Sequence, residues 1–286
     1  MALVTPMRTD GAIDYPTFER LIDWHIASGT NGIVAVGTTG ESATLNPDEH
    51  IAVISRTVRQ VAGRIPVLAG TGSNSTSEAI ELSREAKKVG ADATLQVVPY
   101  YNKPTQHGLL AHFSTIADAV DLPHILYNVP GRTVTDLLPA TTIQLARHPR
   151  IVGLKDATAV ISRVAELRHG CGEDFALLSG EDISLFDFMH AGGDGVISVT
   201  ANLFPHEMAE FCRLMLAGET DRAKGLHLEL IPAHKAMFVE PNPIPVKWAL
   251  EQVGRIGGGI RLPLTPLSDG LHQRVREVLP LEARKS

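Results

Sequence analysis

Cysteine is scarce in this chain: its 286 residues hold only Cys171 and Cys212, and neither stands in a CxxC pair. That usage argues against a disulfide scaffold and suits a cytoplasmic protein with two partly buried thiols. Positive charge is not in excess either. Lysine and arginine number 26 against 32 aspartates and glutamates, a formal charge of −6, so no nucleic-acid footprint is expected. No apolar run approaches the roughly 20 residues of a membrane span. The opening MALVTPMRTDG lacks a basic segment followed by an apolar one, so it is not read as a secretory signal. The twelve histidines show neither HxH nor HExxH spacing, which speaks against a metal site. His107 and His112 read as helix-surface residues.

What the chain does have is one unit repeated: a short apolar run, a turn rich in Gly, Pro or Asn, then a segment of helical period. The predicted strands are Ala2–Thr5, Gly32–Val36, Pro66–Ala69, Ala93–Val98, His124–Asn128, Ile151–Lys155, Phe175–Ser179 and Gly195–Val199. They are apolar rather than alternating, as strands of a parallel sheet covered by helices are. Helices are predicted over Pro47–Ala62, with Asn46 as cap, and over Ser75–Val89, where Ser75 and Glu78 have capping-box spacing. Eight such repeats predict the α/β class, a (β/α)8 TIM barrel over residues 1–217, with a doubly wound open sheet as the structural alternative. Residues 218–286 have no strand signal and are read as a C-terminal helical extension packed on the barrel, with helices at Glu219–Phe238, Pro245–Val253 and Asp269–Val278.

In such barrels the working groups stand at the C-terminal ends of the strands. Those ends carry Thr38-Thr39-Gly40-Glu41-Ser42, Tyr100-Tyr101-Asn102, Tyr127-Asn128 with Arg132 beyond, Lys155, and Gly180. Of the eight lysines, at 87, 88, 103, 155, 224, 235, 247 and 285, only Lys155 ends a repeat strand. Burial disfavours a charged amine, and a free amine condenses with a ketone or aldehyde to a Schiff base. Hydroxyls of tyrosine and threonine suit the proton transfers that step needs. The GTTGES loop suits a carboxylate, and Arg132 can hold a second one bidentately. Plainer readings stand beside each of these. Lys155 can be a strand-end salt bridge with Asp156, the tyrosine pair a packing cluster, GTTGES a structural turn, and Arg132 a solvated loop residue. Lys247, in PIPVKWAL, is expected to snorkel to water. GTGSNS at 70–75 faintly echoes a dinucleotide loop but lacks its third glycine.

In the order GTTGES, YYN, YNVPGRT, GLKDAT and GVISV, with VEPNPIPVKWAL near the end, the chain closely resembles the dihydrodipicolinate synthase family. That family lies among the pyruvate-dependent class I aldolases, which include N-acetylneuraminate lyase. The resemblance implies a lyase that condenses pyruvate with L-aspartate-4-semialdehyde, with loss of water, on the path to diaminopimelate and L-lysine. It implies Lys155 as the Schiff-base lysine, so that no cofactor is needed. Tyr127 would carry protons, linked through Thr38 to Tyr101, which in this family reaches in from a neighbouring subunit of a homotetramer. Thr39 would bind the pyruvate carboxylate and Arg132 that of the semialdehyde, while Gly180 and Ile197 would line the pocket.

Many bacterial members are inhibited by L-lysine at a dimer interface. The matching positions are Ser42, Ala43, His50, Asn74, Glu78 and Tyr100, and Pro47 stands where lysine-inhibited relatives often have histidine. Relatives carry several residues before the first strand, so a native start upstream of Met1 is expected. The alternatives are another pyruvate aldolase, acting on 2-keto-3-deoxygluconate or N-acetylneuraminate, and a non-catalytic barrel that binds a keto acid.

Overall fold

The computed structural model describes residues 1–280, which leaves Lys285 and the end of the expected extension outside the described residues. Two compact units form, one of Met1–Ile65 with the described chain from Ser198 to Pro280, the other of Pro66–Ile197.

In the first unit, strand β1 (Ile33–Ala35) receives the N-terminal segment alongside it: the Leu3 N–H donates to the Val34 carbonyl and the Val34 N–H to that of Met1, at 3.1 and 2.8 Å. The strand expected at Ala2–Thr5 therefore exists as an extended, bonded segment, but only the bridge Ala2↔Val34 is regular. A side chain explains this. On the segment's other edge the Ala2 N–H reaches the Ser198 carbonyl at 3.0 Å, and the Asn202 amide then takes the next places, donating to the Ala2 carbonyl (2.7 Å) and accepting from the Val4 N–H (3.1 Å). An asparagine thus completes main-chain pairing that a longer strand would have made.

Helices Tyr15–Ala27 and Pro47–Val61 pack together in this unit, burying Phe18, Leu21, Ile22, Val53 and Ile54. Each such side chain contributes on the order of 1.5–3 kcal/mol. The second helix starts where expected: Asn46 accepts from the Glu49 N–H and Glu49 returns the bond, a complete capping box with proline following. Helices Pro205–Leu216, Thr220–Ala236, Ile244–Gln252 and His272–Arg276 supply the helical C-terminal part.

The second unit holds β2 (Val67–Gly70), β3 (Ala93–Val97), β4 (His124–Asn128), β5 (Ile151–Asp156), β6 (Ala176–Ser179) and β7 (Gly195–Val196). Each pairs in parallel with the next in chain order. Helices follow β2 to β6, as a parallel sheet requires. Leu109, Phe113, Ile116, Leu126, Leu154, Leu167 and Leu177 share one buried apolar cluster. The last strand stops short of Val199 because Val199 already has helical angles, entering the 3-10 turn Thr200–Asn202.

Two expectations need correction. The Ser75 hydroxyl accepts from the Glu78 N–H, but the Glu78 carboxylate takes the Ser73 hydroxyl instead of closing a capping box. His112 is not on a helix surface: it is buried against Phe113 with Nδ1 at 2.8 Å from the Thr76 hydroxyl, and burial pushes its pKa down to about 4. The glycines of GTGSNS serve the sheet. The Gly72 N–H bonds the Leu95 carbonyl, and a Cβ there would come within 2.2 Å of the Val97 nitrogen. Cys171 and Cys212 are both partly buried. Among the described residues no helix is long and apolar enough to cross a membrane.

Candidate active site

β4 and β5 set the centre of the site. Their register pairs Tyr127 with Lys155 and Asn128 with Asp156. Successive side chains on a strand face opposite ways, so lysine and tyrosine share one face while asparagine and aspartate share the other. Lys155 and Asp156 thus point apart, and the strand-end salt bridge between them is not formed. Lys155 is 5% exposed, and its Nζ lies 4.1 Å from the Tyr127 ring centroid. Among the described residues no carboxylate is ion-paired to that amine, so the phenol ring is its charge-sensitive neighbour. Gly180, after β6, keeps space open beside it: a Cβ at 180 would stand 3.1 Å from Lys155 Cε and 2.8 Å from Ala157 Cβ. Ile197 is buried just past β7, its N–H bonded to the Ser179 carbonyl at 2.9 Å.

Behind the strand ends lies a polar network on the opposite face. The Asp156 carboxylate accepts from the Thr158 N–H and hydroxyl, at 3.1 and 2.9 Å, and from the Asn128 amide at 3.5 Å. Burial raises its pKa, with the Thr158 bonds opposing that shift. Asn128 also donates to Asp136 and accepts from the Leu137 N–H, closing the loop 128–137 that carries Arg132. Asp136 is clamped by both terminal nitrogens of Arg163, whose hydrogen bonds hold its pKa below the usual carboxylate range. Arg132 itself is exposed on the short helix Pro130–Thr133.

Tyr101 is 92% exposed in a left-handed conformation, φ +75°, and is directed to solvent in this chain. Its neighbour Tyr100 is turned toward Asn74 and Glu78. The Asn74 amide donates to the Tyr100 carbonyl at 3.2 Å, and burial and then the Glu78 charge raise the Tyr100 pKa. Three of the six positions matched to a lysine site therefore sit together in the second unit.

In the first unit two left-handed residues shape the GTTGES turn, Val36 just before it (φ +57°) and Glu41 within it (φ +59°). Such angles cost a non-glycine residue of order 1–3 kcal/mol and persist only where surroundings impose them. Thr39 is buried and its Oγ1 accepts from the Asn242 amide at 2.9 Å; Thr38 is half-buried and its carbonyl accepts the Glu41 N–H. Ser42 and Ala43 form the 3-10 turn that follows, and His50 lies buried on helix Pro47–Val61. Lys247 does not snorkel. It is 4% exposed, with its ammonium on the fully buried Glu41 carboxylate and on the Thr5 carbonyl. Burial lowers its pKa and the Glu41 charge counters. Asn242 and Glu41–Lys247 escaped the sequence reading, whose only hint was a set of polar residues inside the apolar PNPIPVKWAL.

Residues 1–281 match the model of the dihydrodipicolinate synthetase family. The chain belongs to that family. The 4-hydroxy-tetrahydrodipicolinate synthase of Methylibium petroleiphilum is 58% identical over 279 residues, 98% of this chain and 95% of its own. The chloride-inhibited dihydrodipicolinate synthase of Acinetobacter baumannii, complexed with pyruvate, superposes with a TM-score of 0.96 at 50% identity, covering 99% of this chain and 97% of that one. The enzyme of Cyanidioschyzon merolae with lysine bound gives 0.95 at 41%, covering 99% and 96%. The fold class is the one expected, a (β/α)8 TIM barrel with a helical C-terminal part. Like other members of the dihydrodipicolinate synthetase family, this chain is a lyase.

Proposed function

We propose that the chain catalyses the 4-hydroxy-tetrahydrodipicolinate synthase reaction, joining pyruvate to L-aspartate-4-semialdehyde with loss of water in diaminopimelate and L-lysine biosynthesis. The observation that carries the mechanism is the buried Lys155 amine against the Tyr127 ring, with Gly180 leaving space at its Cε. The amine adds to the pyruvate ketone, and the carbinolamine loses water to give an iminium. Loss of a methyl proton makes the enamine, whose carbon attacks the semialdehyde carbonyl. The amino group of the semialdehyde then adds to the imine carbon and displaces Lys155, closing the ring. Tyr127, Thr38 and Tyr101 are proposed to move the protons, Thr39 to bind the pyruvate carboxylate, and Gly180 and Ile197 to line the pocket. A covalent imine replaces any cofactor or metal in this scheme. A coupled assay with both substrates tests it. Turnover of sugar acids instead of the semialdehyde would overturn the substrate assignment.

Arg132 is proposed to hold the carboxylate of the semialdehyde. Its replacement by alanine is expected to cut kcat/KM for that substrate by about 10- to 100-fold, the worth of a charge-assisted bidentate contact. The yield of pyruvate adduct should stay unchanged. Equal sparing of both would refute the assignment.

We also propose a cytoplasmic homotetramer, a dimer of dimers in which Tyr101 serves a neighbouring subunit, with residues 1–217 as catalytic barrel and 218–286 as its extension. Its exposure in this chain supports that role for Tyr101. Feedback by L-lysine is proposed at Ser42, Ala43, His50, Asn74, Glu78 and Tyr100, supported by the clustering of Asn74, Glu78 and Tyr100. Saturating L-lysine is then expected to slow the coupled reaction, and an unchanged rate would remove this site while leaving the catalytic one.

A further inference from the structure

The carboxylate loop is short, follows a left-handed Val36, carries a left-handed Glu41, and is bonded from a distant part of the chain. Thr5 donates its hydroxyl to the Gly40 carbonyl at 2.8 Å, and its own carbonyl accepts from Lys247. Glu41 takes the Lys247 ammonium on one carboxylate oxygen and the Arg261 N–H on the other, at 3.2 Å. Arg261 in turn pairs with Glu49 and donates to the Thr44 carbonyl at 2.8 Å. The stretch from Asn242 to Arg261 thus grips the loop at Glu41 and Thr44, and also at Thr39 through Asn242.

The bond at Thr39 differs in kind from the others. A threonine hydroxyl has one hydrogen to give and lone pairs to receive. The Asn242 amide nitrogen donates, so it occupies a lone pair and leaves the hydrogen of Thr39 to be given elsewhere. Among the described residues no protein acceptor takes that hydrogen, although Thr39 is only 2% exposed. A buried donor without an acceptor is costly, and an anion is the partner that removes the cost.

We propose that Asn242 is a positioning residue for the first substrate: by donating to Thr39 it turns that hydroxyl into an obligate donor to the keto-acid carboxylate. This rests on the reading that Thr39 binds pyruvate. It also predicts that only an amide serves at 242. An aspartate there would have the same shape but would accept the hydrogen of Thr39 and set a negative charge beside the substrate's own.

The test is a series at 242 in the full-length enzyme, read by pyruvate KM, kcat and borohydride-trapped adduct on Lys155. Asn242→Asp is expected to raise the pyruvate KM by about 100-fold or more, since it both loses a charge-assisted bond and adds a like charge. Trapping should persist at saturating pyruvate, and the KM for the second substrate should change less than about threefold, because the effect is confined to one bond. Asn242→Ala is expected to raise the pyruvate KM by about 10-fold. Combined with Thr39→Val it should add nothing to the loss that Thr39→Val causes alone, because both remove the same donor. If Asn242→Asp does not fold, the alanine and valine cycle decides the matter. An unchanged pyruvate KM in the folded variants, a loss confined to kcat, or additive losses in the cycle would overturn the proposal. Absence of any adduct in the unaltered enzyme would instead overturn the reading it rests on.

Discussion

Replacing Lys155 with alanine should leave a folded protein whose turnover has fallen by on the order of 10^4-fold or more, the scale of losing a covalent nucleophile. The fold should survive because Lys155 has no ion-pair partner to strand among the described residues, and its neighbours are a tyrosine ring and a glycine. Arginine at 155 should fail almost as completely. A guanidinium stays charged and offers no free amine for an imine. Steady-state rates beside circular dichroism check both. A Lys155→Ala enzyme that retained a tenth of its activity, a loss of only about 1.4 kcal/mol, would exclude the covalent route.

Replacing Lys247 with methionine is the second large effect, and it falls on stability. The change leaves the Glu41 carboxylate, with a side-chain exposure of 0%, without its cation. Breaking one side of a buried pair costs about 3–5 kcal/mol, which for a chain of this size lowers Tm by roughly 10 °C. Glu41→Gln added to Lys247→Met removes the stranded charge, so the double variant should melt above the single one. Thermal unfolding of both is the measurement. A single variant that melts with the unaltered protein would mean that the pair contributes nothing to holding the loop.

These two lysines also mark what the chain disclosed before folding. Lys155 was legible because an apolar β-strand run ends in a charge, and a repeat of strands gives such an end a place in a barrel. His124–Asn128 was read to its last residue, as one short run of the repeated strand-turn-helix unit. Lys247 was misread as snorkelling. Its partner is Glu41, more than two hundred residues away, and local pattern carries no trace of such a pairing. Asn202 beside Ala2, and Asn242 beside Thr39, were missed for the same reason. Polar side chains that replace a ladder or orient a hydroxyl become visible only when distant segments meet. The opposition of Lys155 and Asp156 lay between these cases. Strand alternation implied it, yet only the register with Tyr127 and Asn128 showed what each side chain faces.

The mechanism stands on an imine at Lys155. Borohydride reduction in the presence of pyruvate, followed by peptide mass spectrometry, detects it. The peptide containing Lys155 should gain the mass of a reduced pyruvyl group, in a pyruvate-dependent way, while peptides carrying Lys247 and the other lysines stay unmodified. An unmodified Lys155 peptide after that treatment would show that the reaction does not pass through this lysine.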